Sequence, residues 1–180
     1  MNKKYILLII ILLIIVGSIY YFEKMKIDPT IADEAESIDQ PKLKDGRYPL
    51  APELRDISGY LNTNDQEIKI QDYRGKVVLI DFWTYSCINC IRTLPHITEW
   101  DEKYRNKGLV IIGVHTPEFE FEKDYENVKD AIEKHGIKYP VVQDNDYATW
   151  QAFKNRFWPR KYLIDSEGYI RYDHIGEGAY

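Results

Sequence analysis

The residues with the most chemistry to offer are Cys87 and Cys90, the only cysteines in the 180-residue chain, within DFWTYSCINCIRTLP. A Cys-x-x-Cys pair supports three chemistries: a redox couple, two ligands of a metal ion, or two small apolar residues. If a strand ends before Cys87 and a helix starts at it, the first thiol sits at the helix N-terminus. Unpaired backbone N–H groups and the helix dipole then stabilise its thiolate. The second thiol lies one turn along, within bridging reach. On that reading Cys87 attacks a substrate disulfide and Cys90 resolves the mixed disulfide.

Neighbouring residues narrow the choice. Covalent haem attachment requires a histidine directly after the second cysteine, and residue 91 is Ile. A structural zinc site requires two further ligands at suitable spacing. His96, His115, His135 and His174 are scattered, and each reads as a surface or strand-end residue, so no metal site is assigned. A peroxide-reducing Pro-x-x-x-Thr-x-x-Cys motif finds Thr84 in place but Ile80 at the proline position. Cu(I) transfer stays open, because a dithiol suits that ion.

The flanks supply the positioning elements. KVVLIDFW is an almost unbroken apolar run after Gly75, as in a strand buried on both faces. The segment from Ile88 to about Arg105 reads as a helix kinked at Pro95. GLVIIGVHT reads as a second buried strand. FEKDYENVKDAIEKHG gives an amphipathic helix, with Phe121, Tyr125, Val128 and Ile132 on one face and Gly136 capping its C-terminus. Upstream, ELRDISGYLNT and EIKI alternate as two short strands of a hairpin. Downstream come the strand YPVVQD, the short helix YATWQAFKN and the hairpin KYLID–SEG–YIRYDHI. This order predicts an α/β domain with a mixed central sheet covered by helices on both faces, a thioredoxin-like fold. Such folds normally close with a C-terminal helix, which is missing before Tyr180.

Residues 5–22, YILLIIILLIIVGSIYYF, carry no charge. At helical rise they extend about 27 Å, close to the ~30 Å hydrocarbon core of a bilayer. Residues 1–22 therefore read as an uncleaved single-pass membrane anchor. Residues 23–47, with seven acids, five bases and two prolines, read as a polar tether. Residues 48–180 form the globular domain. Lys3 and Lys4 before the apolar run and Lys24 and Lys26 after it nearly balance on the positive-inside rule. The four-residue tail and the long C-terminal domain favour the extracytoplasmic side of the cell membrane for the domain. A net charge of −5, with charges interspersed, argues against a nucleic-acid partner.

Several motifs in order carry a family resemblance: SGYLNT, YRGKVVLIDFWTYSCINC, GVHTPEFEFEK, YPVVQDNDYATW, FWPRKYLID and GEGAY. Residues 50–180 resemble the thioredoxin-like domain of DipZ-type proteins, which is fused to a CcdA-like membrane electron carrier. TlpA- and ResA-like membrane-tethered oxidoreductases share less of this detail. The resemblance implies a thiol–disulfide oxidoreductase without a cofactor, reducing protein disulfides with electrons from a CcdA- or DsbD-like membrane partner. Cytochrome c biogenesis is one process in which such proteins serve. It assigns catalytic roles to Cys87 and Cys90, and makes Asp81, six residues before Cys87, the proton carrier for the second cysteine. Trp83 packs beneath the site, and Trp83, Ser86 and Trp158 are grouped as substrate-binding positions. Pro159 falls where the fold places a cis-proline facing the disulfide. Glu118 falls where ResA-like proteins keep a glutamate near the active site.

Two residues depart from the pattern. Ser86 replaces the tryptophan usual in thioredoxins before the first cysteine, and Thr93 stands where ResA-like proteins have a glutamate. Two other readings remain at this stage: a Cu(I)-binding metallochaperone-like protein, and a truncated thioredoxin- or peroxiredoxin-like product.

Overall fold

The computed structural model describes residue 4, residues 12–18, 20 and 21, and residues 43–178 apart from 65. The chain divides into two compact units, Met1–Pro41 and Lys42–Tyr180. In the first, residues 12–18 are helical. Most of the expected anchor and nearly all of the expected tether lie outside the described residues. Among the described residues, no helix is long and apolar enough to cross a membrane.

The second unit opens with a small antiparallel pair, β1 (Leu43–Lys44) and β2 (Tyr48–Pro49), inside and just beyond the stretch read as tether. Asp45 and Gly46 both take positive φ between them, the Asp-Gly signature of a tight hairpin turn. A sheet of six strands follows: β3 (Gly59–Leu61), β4 (Val77–Trp83), β5 (Leu109–His115), β6 (Val141–Gln143), β7 (Arg160–Ile164) and β8 (Ile170–Ile175). Its order is β3-β6-β5-β4-β7-β8. The central β4, β5 and β6 run parallel, while β3, β7 and β8 are antiparallel to their neighbours. This is the mixed sheet expected.

Alternation along β4 explains its continuous apolar run. Val78, Ile80 and Phe82 enter one core with Trp150, Phe153 and Tyr162. Leu79 and Trp83 enter the other, under α1 (Ile88–Tyr104) and α2 (Tyr125–Lys134). Period-two alternation puts Asp81 on that second face as well. Each parallel pair needs a crossover, and α1 and α2 supply them. A third helix, α3 (Ala148–Ala152), covers the first face.

Two local expectations change. EIKI is not a strand, and there is no hairpin with SGYLNT. Gly59–Leu61 instead pairs with β6, and Ile70–Tyr73 turns as a 3-10 helix. The Glu53 carboxylate accepts from the Ile70 and Gln71 N–H groups, each at 2.8 Å, which fixes that turn while Ile70 is buried. Phe121 is not on the α2 face. Asp124 caps α2 by accepting from Asn127 N–H, so Phe121 falls in a separate 3-10 turn, Glu120–Lys123, and is exposed. The expected helix after the cysteines is present: α1 carries Pro95 within it, and Pro95 is exposed.

At the end of α2, Gly136 adopts positive φ, and its N–H and that of Ile137 donate to Glu133 O and Ile132 O. This is the Schellman stop expected of a glycine after a helix.

Candidate active site

Cys87 is the N-cap residue of α1, separated from the C-terminal end of β4 by Thr84, Tyr85 and Ser86. Its backbone is extended, and its Sγ accepts a hydrogen bond from Cys90 N–H at 3.3 Å. Cys87 is half-buried, Cys90 fully buried, and both are free thiols. Burial and the contact with Cys87 push the Cys90 thiol well above its ordinary range, so this sulfur holds its proton at rest.

Asp81 lies on the same face and has no exposed surface. Burial raises its carboxyl above the usual range, and the Lys161 ammonium draws it back down. Lys161 Nζ stands 3.3 Å from Asp81 Oδ1, as an ion pair rather than an aligned hydrogen bond. The two face each other in the β4–β7 register. The sequence reading missed Lys161. Its signal was a lone lysine in a strand, in phase with the inward-facing Leu163.

A buried polar cluster lies behind the cysteine loop. Thr84 Oγ1 is 3.3 Å from His115 Nε2. The His115 ring meets Trp83 edge-on at 5.3 Å and stacks on Tyr85 at 5.5 Å. Burial lowers the imidazole to about 4, so it is neutral at pH 7. Ser86 Oγ donates to Glu122, whose other oxygen accepts from the Glu118 and Phe119 N–H groups. Burial alone would raise the Glu122 carboxyl, but donors from Ser86, Thr84, Phe119 and Glu118 together hold it below the usual range.

The acid that grips the cysteine loop is thus Glu122, while Glu118 is exposed. Its only sequence signal was a glutamate at the third position of a helical turn, reaching back to the N-terminal N–H. Trp83 is wholly buried and Ser86 exposed, so Trp83 bears on the site from beneath.

Trp158 and Pro159 are joined by a cis peptide bond. Because Arg160 pairs with Phe82, the register puts Pro159 level with Trp83 at the cysteine end of the sheet. Trp158 Nε1 donates to Thr116 O at 3.0 Å, and its ring packs on Trp150 with centroids 4.1 Å apart. Among the described residues, no cluster of three or more His, Cys, Asp or Glu is placed to hold a metal ion. A cavity of about 400 Å³ beside α1, lined by residues including Trp100, Leu163 and His174, reaches Lys161 but neither cysteine.

Residues 51–173 match the AhpC/TSA family. The chain belongs to that family. Within this AhpC/TSA domain the fold is thioredoxin-like. Protein DipZ of Mycobacterium bovis is 52% identical over 131 residues, covering 72% of this chain. The chain spans only 19% of the DipZ length. The thiol–disulfide oxidoreductase YkuV of Bacillus subtilis is 33% identical over 131 residues, covering 72% of this chain and 85% of YkuV. A thioredoxin-like protein solved in its oxidized form superposes with a TM-score of 0.66 at 32% identity, over 72% of this chain and 85% of that one. Two relatives, YkuV and the ResA protein of Bacillus thuringiensis, are thiol–disulfide oxidoreductases, the latter 30% identical over 62% of each chain.

Proposed function

We propose that the chain is a membrane-anchored, extracytoplasmic reductant of protein disulfides. Cys87 is the nucleophile, Cys90 the resolving thiol and Asp81 the acceptor of the Cys90 proton. Trp158 and Pro159 form the loop that meets the substrate, with Ser86 at its edge. Glu122, in the position of influence expected of Glu118, holds the cysteine loop. Electrons come from a CcdA- or DsbD-like membrane partner, and apocytochrome cysteines in their disulfide form are among the compatible substrates.

One observation carries the reading: a partly exposed thiol caps α1 while its partner lies buried one turn below, donating its N–H to that sulfur. A metal carrier needs both sulfurs within reach of its ion. Attack by one thiol and resolution by the other needs this asymmetry. DipZ and ResA relatives support the class, and the apolar run 5–22 supports the anchor.

The direction is tested by the reduction potential of the Cys87–Cys90 couple. A value near that of thioredoxin, about −270 mV, is expected; one near that of DsbA, about −120 mV, would make the protein an oxidant. Anchoring is tested by fractionating a bacterial host that expresses the full chain. The protein should stay in the membrane pellet through an alkaline carbonate wash, and a membrane-impermeant thiol reagent should reach Cys87 in intact cells. Release by the wash, or protection of Cys87, would remove that part of the proposal.

A further inference from the structure

Lys161 is almost wholly buried, a costly place for an ammonium unless it is paired. Its Nζ reaches groups on two different elements. One is Asp81 Oδ1 of β4 at 3.3 Å; the other is Thr93 Oγ1 of α1 at 3.4 Å. Thr93 Oγ1 in turn donates to the Cys90 carbonyl at 2.9 Å. The lysine, two residues after the cis-proline, therefore connects the proposed substrate loop strand, the buried carboxylate and the turn that carries the resolving cysteine.

Other titratable groups face this pair from the surrounding elements. Asp81 is faced by Cys90 from α1 and by Tyr139 from the segment entering β6, while across β5 the register offers only Gly113. Opposite Lys161 in the β7–β8 register stands His174. Farther along α1, Asp101 is bound to Arg105.

We propose that Lys161 is the positioning residue of the resolving step, holding the Asp81 carboxylate charged and in place to take the Cys90 proton. The inference rests on the mechanism proposed above. In that step the Cys90 S–H gives its proton to Asp81, and the resulting thiolate attacks Cys87 Sγ in the mixed disulfide. The Cys87–Cys90 bond forms, the bond to the substrate sulfur breaks, and the substrate leaves as a thiolate that takes up a proton. Two electrons pass from the dithiol to the substrate disulfide. Without the ammonium, a carboxylate in this apolar site keeps its own proton to higher pH and cannot accept another.

The experiment follows mixed-disulfide formation and its resolution separately, as functions of pH, in the full chain. In Lys161→Met the rise of the resolution rate with pH should move upward by at least about one pH unit, so that resolution at a given pH below the rise slows about tenfold. Formation of the mixed disulfide at Cys87 should change less than about twofold, well short of that tenfold effect. Lys161→Arg, which keeps the charge, should restore most of the wild-type profile. If Lys161→Met does not fold, Lys161→Gln removes the same charge and takes its place.

A folded, uncharged variant with the wild-type pH profile, whatever its stability, would overturn the assignment. Failure of the underlying mechanism shows differently: Cys87→Ser would then exchange disulfides undiminished.

Discussion

Cys87→Ser is expected to lower thiol–disulfide exchange at least about 10³-fold, the scale on which removal of a covalent nucleophile acts. A serine oxygen forms no disulfide, so the substrate sulfur has nowhere to go. Cys90 cannot stand in, because it has no exposed surface and lies beneath the α1 N-terminus. The companion variant, Cys90→Ser, should behave oppositely. Cys87 still attacks, but nothing resolves the product, and the substrate stays attached. Both variants should be assayed with a small fluorogenic disulfide and with a disulfide-bonded protein. Loss in the first and a covalent adduct at Cys87 in the second are the expected pair of results. Undiminished turnover by Cys87→Ser, or adducts forming at Cys90, would sink the mechanism.

Much of this arrangement was legible in the sequence because its causes are local. β4 and β5 announce themselves as apolar runs too long for a one-sided strand, and α1 is the helix expected directly after the cysteine turn. The Asp81 spacing, the cysteine pair and Trp158–Pro159 lie within short motifs. What escaped depends on partners distant in the chain. EIKI alternates like a strand, yet the Glu53 carboxylate accepts from the N–H groups of a turn there, and β6 takes its expected neighbour Gly59–Leu61.

Glu122 and Glu118 are equally acidic in HTPEFEFEK; only the fold turns one toward Ser86 and leaves the other in solvent. Lys161 is the sharpest case. It stands eighty residues from Asp81, and only the antiparallel register of β4 with β7 brings them face to face. Thr93, which looked like a departure from the ResA-like pattern, becomes intelligible at the same moment. Its hydroxyl accepts from the lysine and donates to the Cys90 carbonyl. A carboxylate there would have been a second buried acid beside Asp81.

Trp83→Ala should then weaken fold and site together. Trp83 is fully buried between the sheet and α1, in one core cluster with Cys90, Leu94 and Ile97. Its backbone carbonyl accepts from Thr116 N–H, and its ring forms one wall of the His115 site. The space is filled closely: a Cβ placed on Gly113 would lie 3.1 Å from Trp83 Nε1 and 3.2 Å from Val141 and Tyr139. The matching glycine and indole leave little slack for neighbours to collapse into a gap. Truncation should therefore fall in the usual range for a buried aromatic, about 3–5 kcal/mol. That is a large part of the roughly 5–15 kcal/mol by which domains are stable. Trp83→Phe keeps most of the volume and should cost much less. Urea unfolding of the full chain measures both as shifts in midpoint at constant slope. The exchange rate of Trp83→Ala, taken far below its melting temperature, should also fall, because His115 and Thr84 lose the wall that fixes them behind the cysteine loop. A loss below about 1 kcal/mol, small beside that aromatic-truncation range, with full activity would mean that neighbouring side chains refill the site and that Trp83 does not set the position of Cys87.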